Sequence, residues 1–317
     1  MVRIDLVKYR WLWFGISLVI LIPGLVGIMA CLAEFHAPLR PGIDFTGGSI
    51  LQYQFDHPVS LDTVRDVLTE NGFPGSQVQL ATVSGANVVV MRTKAIENEN
   101  DKRKLDQELT AKVGTFKVLS VDKVSATIGP ELLGSGLLAL CITFAMMILY
   151  ISYRFKLDFA ICAIIALFHD ALALCGIFAI LGILMGTEVD SLFISAILTV
   201  IGFSVHDTIV VFDRIRENIK YVGSKGMDAL TGKEFKKTFG DIANDSVNQT
   251  LARSIYTSLT VIITLTSLYL LGGVTTRDFV LAMLIGIISG TYSSIFNASC
   301  LLVLWREKKI QLRPKLA

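Results

Sequence analysis

Six stretches of this sequence are each long and apolar enough to cross a bilayer, at 12–33, 132–152, 159–185, 192–212, 254–271 and 279–305. A helix needs about 20 residues at 1.5 Å each to span hydrocarbon, and in lipid every backbone group must be satisfied internally. The fold class expected is therefore a polytopic α-helical membrane protein. Composition agrees: 53% of the 317 residues are hydrophobic and 18% charged, and the mean hydropathy is +0.61. Those values exclude an ordinary soluble enzyme. The net charge of +2 gives no footprint for nucleic acid.

The cysteines, Cys31, Cys141, Cys162, Cys175 and Cys300, lie in or beside apolar runs with no CxxC spacing. They read as small buried hydrophobes, not as a disulfide framework or zinc site. No metal or cofactor is expected. A metal-dependent intramembrane hydrolase lacks its HExxH motif here, and the two adjacent His-Asp pairs point about 100° apart on a helix.

The basic start with Arg3, Lys8 and Arg10 also suits a signal peptide, but length and the missing small-residue cleavage site favour a retained anchor. Arg154, Lys156, the basic residues between 214 and 253, and the tail with Arg306, Lys308, Lys309, Arg313 and Lys315 fall on one side of the membrane, whereas the short loops opposite hold Arg277. The positive-inside rule puts both termini, the 214–253 loop and the tail in the cytoplasm, with 34–131 exported. Arg214, Arg216 and Lys220 suit a helix emerging at an anionic surface or a face for a cytoplasmic partner.

The 34–131 loop is long enough to be a domain. Alternation and turn chemistry predict strands at 49–55, 77–83, 88–94 and 116–126 and helices at 60–71 and 98–113. Ser60 reads as a helix N-cap, Asn71-Gly72 as a stop, and residues 84–87 as a hairpin turn. The order βαββαβ predicts a ferredoxin-like α+β sandwich between the first two membrane helices.

Charged side chains at membrane depth are costly and usually functional. This chain has His169 and Asp170 in its third apolar stretch, His206 and Asp207 in the fourth, and Arg253 opening the fifth. Counting from the outer ends at 1.5 Å per residue puts Asp170, Asp207 and Arg253 roughly 22, 25 and 28 Å deep, in one layer. That layer suits a proton relay, a fixed Asp207–Arg253 pair, or an Arg253 that snorkels to the interface; Asp213 reads as interfacial. Gly286 and Gly290, in GxxxG spacing, mark a packing face for a helix of this chain or a partner. The hydroxyls at Thr257, Ser258, Thr260, Thr264, Thr266 and Ser267 suit helix packing or a hydrated lining beside Asp207.

Three stretches resemble the SecF branch of the SecD/SecF protein-export family: GIDFTGGS at 42–49, SVHDTIVVFDRIREN at 204–218 and VNQTLAR at 247–253. The resemblance implies a half-transporter of the resistance-nodulation-division superfamily, partnered by SecD and assisting the SecYEG translocon and SecA. It implies that proton-motive force promotes late translocation of unfolded preproteins across the bacterial inner membrane, or the thylakoid membrane of a photosynthetic host. Asp207 falls on the family's membrane carboxylate and Arg253 on its basic residue; His206 stands where the pattern often has Asn, and His169 and Asp170 are further relay candidates. Gly42, Asp44, Phe45, Gly47 and Gly48 would form either a tight turn or a hinge passing membrane motion to the exported domain. A self-sufficient exporter of lipids or small molecules, and a structural translocon scaffold, stay open beside that non-enzymatic reading.

Overall fold

The computed structural model describes residues 4–83, 86–96, 98–124, 128–224, 238–273 and 276–311. Among them six helical stretches are long and apolar enough to cross a membrane. The first is α1 (Arg10–Phe35). A small α+β domain follows, built from α2 (Ile43–Thr46), β1 (Gly48–Phe55), α3 (Leu61–Glu70), β2 (Gln77–Val83), β3 (Ala86–Thr93), α4 (Glu99–Lys112) and β4 (Phe116–Val124). The remaining crossings are α5 (Ile128–Arg154), α6 (Leu157–Leu184), α7 (Ser191–Ser224), α8 (Phe239–Leu271), and a last one built from α9 (Arg277–Tyr292), a π-helical turn (Ser293–Asn297) and α10 (Ala298–Gln311).

The sheet order is β2-β3-β1-β4 with every neighbour antiparallel, which is the ferredoxin-like order. Strand alternation turns Leu51, Tyr53 and Phe55 toward one face, where they pack with Val64, Val67 and Leu68 of α3 and Leu105 and Leu109 of α4. Tyr53 stacks on Phe116 with ring centroids 4.4 Å apart and donates to Asp106 Oδ1 at 2.5 Å. Asn71 caps the end of α3, and Gly72 turns the chain with φ at +87°. Ser60 occupies the N-cap position of α3 without a side-chain capping bond. Of the expected hairpin turn, Ser84 and Gly85 lie outside the described residues.

In the membrane bundle α1 lies beside α6 at glycine-to-glycine distance; a Cβ on Gly24 would stand 2.9 Å from the Gly176 Cα. The GxxxG face meets α7 of the same chain. A Cβ on Gly286 would come within 2.3 Å of Val200, and one on Gly290 within 3.1 Å of Ser204.

Two expectations need correction. Arg253 does not open its helix: α8 starts at Phe239, where Thr238 and Asp241 form a reciprocal capping box. Hydropathy saw only the apolar half, because the polar half is held by contacts with other segments. Cys141 is exposed, unlike Cys31, Cys162 and Cys300, because α5 sits at the bundle edge with none of its apolar window buried within this chain.

Candidate functional site

The long helix α7 carries Ser204, His206, Asp207 and Thr208 into the bundle. Asp207 is 8% exposed, and the hydroxyls of Ser258 on α8 and Thr291 on α9 lie near its carboxyl. Those hydroxyls are 2.6 Å from each other. Three helices thus converge on one carboxylate through neutral groups that can donate to its ionised form or accept from its protonated form. His206, next in sequence, is exposed, with its imidazole close enough to interact electrostatically with Asp207.

A second polar cluster lies one helical turn back. Asp170 is 1% exposed; its Oδ2 accepts from the Ser204 hydroxyl and its Oδ1 lies 3.0 Å from His169 Nδ1. The Ser204 carbonyl in turn accepts from Ser294 Oγ at 3.0 Å, and Thr208 Oγ1 stands 2.9 Å from Ser294 Oγ. His169 Nε2 is 3.5 Å from Asn297 Nδ2, which donates to Ser17 Oγ at 2.5 Å. The π-helical turn makes this possible, because its extra residue lets Ser293, Ser294 and Asn297 all face inward. In this crossing the sequence marked Gly286 and Gly290 as a packing face; no local signal announces a π turn.

The structure does not bring Arg253 to Asp207. Arg253 is exposed on α8, and among the described residues no ion pair joins the two. The quoted motifs meet elsewhere: Arg214 Nε donates to Gln249 Oε1 at 2.6 Å, and Asn218 Nδ2 donates to Ser246 Oγ at 2.8 Å and to Gln249 Oε1 at 3.1 Å. Asp213 pairs with Arg154 at 2.8 Å. The stretches 204–218 and 247–253 are therefore zipped together at the Arg154 end of the bundle.

At the opposite end the glycine-rich stretch is a junction. Gly42 N–H donates to the Val189 carbonyl at 2.7 Å, and Val189 N–H to the Arg40 carbonyl at 2.9 Å, so this chain pairs like a short strand with the α6–α7 loop. Asp44 accepts from Ser191 N–H at 3.0 Å and from its hydroxyl at 2.5 Å, and so caps α7 from another element. Phe45 is buried, with its carbonyl against the first turn of α5 at Gly129. Gly47, with φ at +75°, makes the turn into β1 that an L side chain would strain. Gly48 has no room for a side chain, since a Cβ would sit 2.6 Å from the Thr93 carbonyl. The β3 residue Arg92 lies 3.7 Å from Glu188, which also approaches Arg40 at 4.0 Å. Burial pushes the Glu188 and Asp190 carboxyls above their ordinary range, against the pull of Arg92.

Among the described residues no group of three or more His, Cys, Asp or Glu could hold a metal ion. Comparison with known proteins gives the family. The model for "Protein export membrane protein SecD/SecF, C-terminal" matches residues 104–308, and that for the "SecD/SecF GG Motif" matches 35–59. The chain belongs to the SecD/SecF family. It is 43% identical to the protein translocase subunit SecF of Thermobaculum terrenum, over 96% of this chain and 95% of that one. Against the SecF of Synechocystis sp. the identity is 38%, over 98% and 97%. The crystal structure of SecDF, a translocon-associated membrane protein from Thermus thermophilus, superposes with a TM-score of 0.78 at 29% identity over 96% of this chain. This chain spans 39% of the length of that one. The chain is accordingly a multi-pass membrane protein of the SecD/SecF protein-export family.

Proposed function

We propose that the chain couples proton movement to late preprotein translocation, with Asp207 as proton carrier. One observation carries the reading: Asp207 is a buried membrane carboxylate that no ion pair among the described residues neutralises, and hydroxyls from two other helices face it. A carboxylate locked to a cation loses its proton readily and regains it with difficulty; one faced by neutral hydroxyls exchanges it. Arg253, exposed on α8, is open to the SecD partner and acts there, apart from Asp207. His169 and Asp170 join the relay through Ser204, one turn before Asp207.

The expected topology places both termini in the cytoplasm and the sandwich on the exported side of the inner membrane. The junction of Gly42, Asp44, Phe45, Gly47 and Gly48 then relays displacement of α7 to β1. SecYEG, SecA and the unfolded preprotein are the remaining partners of this cycle. The test is preprotein export into vesicles holding translocon, SecD and this chain, with and without an imposed proton gradient. Native protein should be accelerated by the gradient and Asp207→Asn should not. Equal acceleration of both would leave the buried carboxylate with a structural role.

A further inference from the structure

The segment ahead of α1 is bound in a manner its sequence does not announce. Ile4 N–H donates to Asn248 Oδ1 at 2.9 Å, Asn248 Nδ2 donates to the Ile4 carbonyl at 2.8 Å, and Leu6 N–H donates to Asn244 Oδ1 at 2.8 Å. These are the contacts one strand makes with another, supplied by two primary amides one helical turn apart on the same face of α8. Asn248 Nδ2 also donates to the Asn244 carbonyl at 2.8 Å, which fixes which way its amide faces.

The same segment is tied on its other side. Leu6 is 1% exposed, and its carbonyl accepts from Trp13 Nε1 at 3.3 Å and from the Cys300 thiol at 3.7 Å. Arg10, beginning α1, pairs with Glu307 of α10 at 2.7 Å. Residues 4–10 therefore join α8 to α1 and α10. That junction matters because α8 is loosely held in the bilayer, with 17% of its apolar window buried within this chain. It is also the helix that carries Ser258 to Asp207.

Resting on the reading of Asp207 as proton carrier, we propose that residues 4–6 are a strap read through its backbone by Asn244 and Asn248. The two asparagines are positioning residues: by fixing the Thr238 end of α8 they set where Ser258 stands against Asp207. Because the backbone is what they read, Ile4→Val is neutral, whereas Ile4→Pro deletes the N–H that Asn248 accepts.

The experiment uses the full chain with its SecD partner in vesicles. Hydrogen exchange at the Leu6 amide should be roughly tenfold faster in Asn248→Ala and in Ile4→Pro than in native protein or Ile4→Val. Both variants should shift the pH midpoint of gradient-stimulated export in the same direction, and the double variant should shift it no further. Protein level and co-purification with SecD should stay unchanged; if Asn248→Ala fails to accumulate, Asn244→Ala removes a single bond and serves instead. Fast exchange at Leu6 in the native protein overturns the strap. Faster exchange with an unmoved pH profile, or additive shifts, overturns the positioning role. If Asp207→Asn itself keeps the gradient response, the proton-carrier reading falls and the positioning role with it, while exchange at Leu6 still decides whether the strap exists.

Discussion

A carboxylate enclosed in a helix bundle keeps its place only through the groups it touches, and Asp170 touches Ser204 and His169. Removing one partner leaves the other polar group without compensation, which in a buried site costs about 1–3 kcal/mol. Ser204→Ala should therefore lower the thermal midpoint of the purified protein, followed by tryptophan fluorescence in detergent. Asp170→Asn keeps a carbonyl oxygen to accept from Ser204 and should shift the midpoint less than Ser204→Ala. The reverse order would show that the charge of Asp170, and not its hydrogen bonds, holds α6 to α7. The same arithmetic separates the two aspartates: Asp170 is held by a hydrogen-bonded network inside its own chain, whereas Asp207 lies near the hydroxyls of Ser258 and Thr291 without an ion pair among the described residues. Export, not folding, should be what Asp207→Asn alters.

At the scale of elements, one of the close helix contacts is where α9 meets α7. Gly286→Leu would drive a side chain into Val200, where a Cβ alone would come within 2.3 Å. Overpacking of this kind typically costs about 1–3 kcal/mol, and here it also displaces Ser204 and Thr291 from the two polar clusters. The variant should unfold at lower temperature and lose gradient-stimulated export together, whereas Gly202→Leu, with nothing within 4 Å of its Cβ position, should be tolerated. What the sequence disclosed at this scale follows from which elements announce themselves locally. The strands of the sandwich alternate, Asn71-Gly72 stops α3, and the six crossings stand out by hydropathy, so all were legible. The Phe239 end of α8 was not, because its helix is polar and depends on the backbone of residues 4–6 and on α7. The partners of Asp207 were half legible: the hydroxyl-rich face of α8 pointed to Ser258, but Thr291 and Asn297 follow from the π turn and from tertiary packing. That Arg253 faces away from Asp207 is a matter of helix rotation, which spacing alone does not set.

For the whole molecule the question is how the sandwich is held to the membrane bundle, and the sign of its pH dependence can be worked out at Glu188. Facing this residue are Arg92 from β3, Arg40 after α1, Asp190 in its own loop and Asp278 at the start of α9, while Asp44 and Asp122 line the same cavity of about 270 Å³. Burial outweighs the two arginines and raises the Glu188 carboxyl above its ordinary value of 4.5 in the docked state. Undocking returns that carboxyl to water and to its ordinary value. The docked state therefore binds the proton more tightly than the undocked one. Its stabilising share is fully present below pH 4.5 and is lost as pH rises through the raised value. Asp190, raised for the same reason from 3.8, adds to the effect in the same direction. Acid on the sandwich side should thus hold the sandwich down, and alkali should release it. A distance reporter between a label on α4 and one at the end of α6, read across a pH series with the protein in vesicles, should show the shorter distance at low pH. Glu188→Gln imitates the protonated form and should extend docking toward higher pH, leaving the Asp190 response. If Arg92→Gln weakens docking at every pH while Glu188→Gln leaves the profile where it was, the arginine holds the junction and the glutamate does not sense protons.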